Sequence, residues 1–230
     1  MKVIHSLNWY FPGLGGGTQV YVDELARSLH LYGVESIITA AYSGYDGYFD
    51  KYNNIDVFRY PVYPTEINQQ IRGKIPHQGF DKFINFLTTQ KADIYHQHSW
   101  CSDCGIHHLR AAKKLGMVTV VTVHVPSMVC LRGTMMMQGK KACDGKINQT
   151  RCSTCWGIAR GIPPAIAAAF AKTPMCLSKV AEASFINSRL ATAIARPALV
   201  NIHKNILLEM ANLADRIVVV CQWLYDALAI

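Results

Sequence analysis

Residues 8–29 read NWYFPGLGGGTQVYVDELARSL, with Gly13, Gly15, Gly16 and Gly17 crowded immediately ahead of a helical pattern. Thr18, Tyr21, Val22, Leu25, Ala26 and Leu29 recur three and four positions apart, which is one face of an amphipathic helix. Upstream, residues 2–7 (KVIHSL) have the length and apolar content of a short buried strand. Downstream, Gly33 stops the helix and residues 34–40 (VESIITA) form a second strand. Strand, glycine turn, helix, strand is a βαβ unit, so the two strands run parallel. Glycines at such a junction leave first-turn amides uncovered, and the helix dipole makes that end attractive to anionic oxygen. Gly15, Gly16 and Gly17 are therefore the candidate phosphate-facing loop. The plainer alternative is a tight turn with no ligand.

Two familiar phosphate motifs do not fit. A dinucleotide fold wants a third glycine where Thr18 stands, and an acid at the end of the second strand, where this chain has Thr39 and Ala40. No nicotinamide cofactor is expected. No Gly-Lys-Ser/Thr follows the loop either, so it is not a P-loop.

Outward from this unit, strand and helix patterns alternate. Strands are predicted at 55–60, 93–96, 118–124 and 217–221; helices at 80–90, 106–115, 163–171, 177–195, 198–213 and from 222. The fold expected is α/β: one Rossmann-like domain over 1–230 with a doubly wound, mostly parallel sheet. Residues 126–160 break the rhythm and form a cysteine-containing, basic insertion.

Bulk composition agrees with a packed domain. The chain has 230 residues, of which 50% are hydrophobic and 17% charged, and its net charge is +8. That balance excludes disorder and suits a phosphate-bearing partner. The first residues lack a signal-peptide pattern, and no apolar run is long enough to span a bilayer. The expected location is cytoplasmic, with peripheral contact at the inner membrane face as an option.

Ligands of open α/β sheets sit at the carboxyl ends of strands. His96 and His98 fall at one such end and His124 at another, which makes them candidates for hydrogen-bonding a ligand there. The eight cysteines would be reduced in a cytosol. Cys130, Cys143, Cys152 and Cys155 have the spacing C-x12-C-x8-C-x2-C, which suits a structural zinc; an iron–sulfur cluster uses the same ligands. Cys101 and Cys104 form a second C-x2-C that could instead join Cys152 and Cys155, or act as a redox pair. Cys176 and Cys221 are expected in the core.

Four stretches together resemble a known family: FPGLGGGTQVYVDELARSLHLYGVES, ADIYHQHSW, VTVVTVHVP and MANLADRIVVVCQWLYDAL. In order and spacing they are similar to landmarks of the N-terminal, acceptor-side lobe of family 4 glycosyltransferases, which have the two-lobed GT-B fold. The resemblance implies retaining transfer of a sugar from a nucleotide-sugar donor to an acceptor, in polysaccharide or glycolipid synthesis. That acceptor would be a lipid-linked group, a growing polysaccharide or a small molecule. It implies that the loop at Gly15, Gly16 and Gly17 faces the donor's diphosphate, and that His124 lies beside the transferred sugar as the catalytic candidate. The second lobe, which carries most nucleotide-sugar contacts, would begin where this chain ends, so weak or no activity is expected of it alone.

Two readings of other classes compete. One is a zinc-stapled nucleic-acid-binding module, for which residues 132, 140, 141, 146, 151 and 160 supply basic charge against Asp144 alone. No helix carries a basic face with base-reading spacing, so no nucleic acid is expected. The other is a non-catalytic partner-binding lobe built on the alanine-rich helices.

Overall fold

The computed structural model describes residues 1–13, 15–64, 68–184 and 188–228. In chain order the elements are β1 (Lys2–Leu7), α1 (Gly17–His30), β2 (Glu35–Ser43), β3 (Tyr48–Tyr52), β4 (Ile55–Val62), α2 (Asn68–Ile71), α3 (Phe80–Gln90), β5 (Ile94–Gln97), α4 (Ile106–Lys114) and β6 (Val118–Val123). A short 3-10 turn at Pro126–Met128 leads into β7 (Met136–Met137), β8 (Lys141–Ala142), α5 (Gln149–Ala159), α6 (Pro164–Ala171), α7 (Met175–Ala183), α8 (Arg189–Leu213), β9 (Arg216–Val219) and α9 (Gln222–Leu228). These elements make two compact units. The first is Met1–His124 with Met210–Val220; the second is Val125–Glu209 with Cys221–Ile230. The expected insertion at 126–160 lies wholly within the second.

The first unit holds a seven-stranded sheet in the order β3-β4-β2-β1-β5-β6-β9. All neighbours are parallel except β3, which pairs antiparallel with β4 at the edge. Apart from β3, the strands follow the doubly wound order in which the chain starts in the middle and winds outward both ways. The mostly parallel α/β sheet expected from the sequence is therefore present. Its direction of winding reverses between β1 and β5. Nearly every residue of β1 and β4 is buried, as a parallel sheet covered by helices on both faces requires.

Helix α1 covers one side with Val22 and Ala26, against Leu7, Ile38 and Ala40. Helix α3 brings Phe83, Phe86 and Leu87 to the core. Phe86 stacks on Phe58 at 4.2 Å, and Phe83 sits among Tyr60, Tyr95 and His108. Phe83→Ala should cost about 3–5 kcal/mol, because the aromatic ring leaves a cavity that its fully buried neighbours cannot collapse. Urea denaturation reads this directly; a cost under about 1 kcal/mol would remove Phe83 from the core.

The second unit contains the small β7–β8 hairpin and the α5–α9 helices, with the last turn of α8 returning to the first unit. Here the structure departs from the sequence pattern in three places. Helix α5 has no counterpart among the predicted elements, because QTRCSTCWGIA shows no apolar stripe. The helices expected at 177–195 and 198–213 are α7, ending at Ala183, and a single α8 that runs through Pro197. Pro197 is tolerated there while the next amide, Ala198 N, donates to the buried Ser178 hydroxyl at 2.9 Å. The portion of the expected helix at 185–187 lies outside the described residues. Finally, Cys176 is exposed and Cys221 half-buried, not core.

Candidate functional site

The glycine loop forms an open helix end. Gly16 is the N-cap of α1, extended at φ −157°, and no side chain caps the helix. The first turn carries no acid. Gly17, Thr18 and Gln19 open the helix, so their amides have no carbonyl a turn earlier to bond. Gly13, Gly15, Gly16 and Gly17 are all exposed. Gly15 is required sterically: a Cβ there would meet the Phe11 ring at 2.3 Å. At Gly17 and Gly13 a Cβ would meet nothing within 4 Å among the described residues, and at Gly16 only the flexible Gln19 carboxamide, at 3.2 Å. The seat is thus bordered by Gln19, whose Nε2 donates to Trp9 O at 3.4 Å, and otherwise open.

A buried arginine braces this loop from below. Arg59 on β4 donates to the carbonyls of Tyr10 (3.0 Å) and Phe11, and pairs with Asp50 at 3.3 Å. Tyr10 donates its hydroxyl to Asp23 on α1 at 2.7 Å, tying the loop to the helix it precedes. Burial and the Asp23 carboxylate push the Tyr10 hydroxyl well above its ordinary pKa, so it stays a donor.

The histidines gather at the carboxyl ends of β1, β5 and β6, across the point where the sheet reverses. Strand register sets His5 beside His96. His98 follows β5 and donates its amide to Ser6 O at 2.8 Å, extending the pairing. Side chains then form a chain: Ser36 Oγ to His5 Nε2 (3.4 Å), His5 Nδ1 to His98 Nε2 (3.2 Å), His98 Nδ1 to His124 Nε2 (3.2 Å). His96 stands alongside, its ring 3.9 Å from that of His98 and its Nε2 2.7 Å from Thr122 Oγ1. Burial drives the whole group neutral. It lowers His5 to about 3 and His96 to about 4, with the neighbouring imidazoles adding to the shift. His98 falls well below its ordinary value for the same reasons, and half-buried His124 is lowered by burial alone.

Neutral imidazoles each carry one N–H and one lone pair. In a chain of such rings, the proton position on one dictates the next. If His124 accepts from His98 at Nε2, its own N–H sits on Nδ1; if it donates, Nδ1 is bare. The chain therefore couples the tautomer of half-buried His124 to two buried rings. Nitrogens of His5, His96 and His98 also lie within 4.8 Å of one another, a spacing open to a metal ion. Both ring nitrogens of His98, however, are already engaged with His5 and His124.

Tyr21 joins the two halves of this site. It lies one turn into α1, past the open glycine end, and its ring packs edge-on against His124 at 5.0 Å and near His98 at 6.0 Å. The structure thus brings Gly15, Gly16 and Gly17 to the head of the helix whose next turn covers His98 and His124. His96 is set behind them, half-buried against Thr122.

A model of the family described as Glycosyltransferase Family 4 matches residues 15–141, more than half of the chain. The chain belongs to glycosyltransferase family 4. The match takes in the glycine loop, the His96–His98 strand end and His124. Among solved structures, a sucrose-phosphate synthase from Thermosynechococcus elongatus is similar at TM-score 0.42 and 14% identity. That similarity covers 61% of this chain and 37% of the synthase, so the family 4 chain corresponds to well under half of that protein's length. No curated protein sequence matches it. None of its described helices is long and apolar enough to cross a membrane.

Sequence reasoning missed three residues of this candidate site. His5 was legible as a polar residue in a buried strand; Tyr21 was counted only as part of an apolar helix face; Arg59 sat unremarked in a strand pattern. The remaining thiols divide between the units. Cys104 is fully buried, its Sγ 3.4 Å from Ser6 Oγ, and burial pushes its thiol up. A reactive thiol needs the opposite shift, so the C-x2-C at Cys101 and Cys104 is poorly suited to redox exchange. In the second unit, Cys130, Cys143, Cys152 and Cys155 all line one cavity of about 40 Å³.

Proposed function

We propose that this domain is the acceptor-side lobe of a retaining transferase, moving a sugar from a nucleotide-sugar donor to an acceptor. In that reading the amides at Gly15, Gly16 and Gly17 face the donor's diphosphate, and His124 stands beside the transferred sugar with His98 behind it. The observation that carries the reading is the edge-on contact of Tyr21 with His124. It sets an open helix end and a neutral histidine chain one helical turn apart, where a sheet of this type receives its ligands. Amides and a neutral imidazole supply positioning and stabilisation of charge on a leaving diphosphate, without a protein nucleophile. The net charge of +8 favours such an anionic substrate.

The test is Gly16→Val in the full-length transferase. Gly16 has an extended φ and only a flexible neighbour, so a branched side chain is accommodated. It would, however, hang over the first-turn amides. Affinity for a nucleoside diphosphate, measured by calorimetry, should fall about tenfold, equivalent to about 1.4 kcal/mol, while the melting temperature holds. Unchanged affinity in a folded variant would remove the loop from the donor site.

A further inference from the structure

We propose that Cys130, Cys143, Cys152 and Cys155 are the four thiolate ligands of one thiophilic metal centre that staples the second unit. The centre is independent of the transferase reading.

Local structure delivers the four sulfurs from three separate pieces of chain. Cys130 opens a turn in which Gly133, at φ +68°, returns its amide to Cys130 O at 2.7 Å. The β7–β8 hairpin follows, turning through Gln138 and Gly139, both at positive φ, and it closes with Cys143 N on Met135 O at 2.8 Å. Asn148 then caps α5, accepting from Arg151 N at 2.9 Å, so that Cys152 and Cys155 lie three apart on one face of that helix. All four line the same cavity with Met135, Met136 and Trp156.

Two features go beyond spacing. First, donors point at sulfur: Gln138 N lies 3.1 Å from Cys155 Sγ, and Arg132 Nη1 lies 3.5 Å from it. A neutral thiol is a weak acceptor; a metal-bound thiolate is a good one. Second, positive charge is buried without acid to match. Arg196 is 9% exposed and stacks on Trp156 at 4.3 Å, and among the described residues it makes no ion pair. Trp156 lines the cavity, one position past Cys155. A buried guanidinium demands a counter-charge, and four thiolates around a divalent ion retain net negative charge. The hairpin also needs a staple: β7 and β8 are two residues each and mostly exposed, far too little to stand alone.

Among the described residues no three of these sulfurs come within 4.8 Å of one another. Tetrahedral zinc, with Zn–S bonds of about 2.3 Å, holds its sulfurs about 3.8 Å apart. A single ion therefore draws the side chains inward by rotamer change, whereas a cluster with bridging sulfides spaces its thiolates more widely.

The experiment is metal and sulfide analysis of the chain purified without oxygen and dialysed against buffer. About one zinc per chain with no visible absorbance identifies the single ion; iron with acid-labile sulfide and a broad visible band identifies the cluster. Either supports the centre. Cys130→Ser, Cys143→Ser, Cys152→Ser and Cys155→Ser should each lose most of that metal, and Cys176→Ser should keep all of it. Should the serine variants fail to fold, the wild-type chain still decides: stripped of metal and titrated with Co²⁺, it should show thiolate-to-cobalt absorbance saturating at about one equivalent. Wild-type chain without bound metal and without a cobalt–thiolate band overturns the proposal, as does a Cys176→Ser variant that loses metal like the other four.

Discussion

Between pH 7 and about 5.5 the chain should lose most of its resistance to urea, because its buried imidazoles are held neutral. His5, His96, His98 and His108 all titrate below their ordinary value in the folded protein, with burial the leading cause. In the unfolded chain each regains a pKa of about 6.5. The unfolded state therefore binds more protons below that value, and stability falls as pH falls, down to the folded values of about 3 and about 4 for His5 and His96. Each group contributes about 1.4 kcal/mol per pH unit in that window, so four reach about 6 kcal/mol near pH 5.5. That is comparable with the entire stability of a small domain, roughly 5–15 kcal/mol. Equilibrium urea titrations at pH 7.5, 6.5 and 5.5 read the effect. His108→Asn, in a variant that still folds at neutral pH, should remove about one proton from the slope. A urea midpoint that stays flat across this range would mean the imidazoles are solvated in the folded state.

The parts of this molecule that were legible in its sequence share one property: their signal is local. β1, the glycine turn, α1 and β2 each announce themselves within a few residues, through apolar period, a cluster of glycines and a stop at Gly33. The doubly wound order follows from their repetition. What escaped depends on partners distant in sequence. Edge strand β3 is mostly exposed and gains its identity only by pairing with β4. Helix α5 is hidden because the residues it buries are Ser153 and Gly157, not an aliphatic stripe. His5 and His98 are 93 positions apart and meet only through the parallel register of β1 and β5. Arg59 reads as an oddity in a strand until the loop it braces is in place. His124 was reachable because it ends a strand, a position that carries meaning in this fold class before any contact is known.

Under the proposed transferase function, His124→Ala should lower kcat by about 10²–10⁴-fold, the range expected when a positioned proton-bearing group is removed. His124 is half-buried, neutral, and capped on one side by Tyr21, so truncation empties a site without unfolding a core. His98→Ala discriminates between a lone histidine and a coupled chain. His98 touches His124 through Nδ1 and His5 through Nε2, and it is nearly inaccessible to solvent. If the chain sets the tautomer of His124, removing His98 frees both tautomers and exposes His124 to water. The kcat then drops by about tenfold, equivalent to about 1.4 kcal/mol, with KM for the donor little changed. The acid limb of the pH–rate profile should also move up toward the ordinary histidine value of about 6.5, since the depression at His124 comes from burial. His98→Asn, which keeps a polar side chain that can accept or donate, should recover part of the loss. A purely packing role for His98 would move the acid limb in the same way, because the depression at His124 comes from burial, but would give the asparagine variant no advantage over alanine in kcat. An unchanged kcat in folded His124→Ala would remove the histidine chain from catalysis altogether.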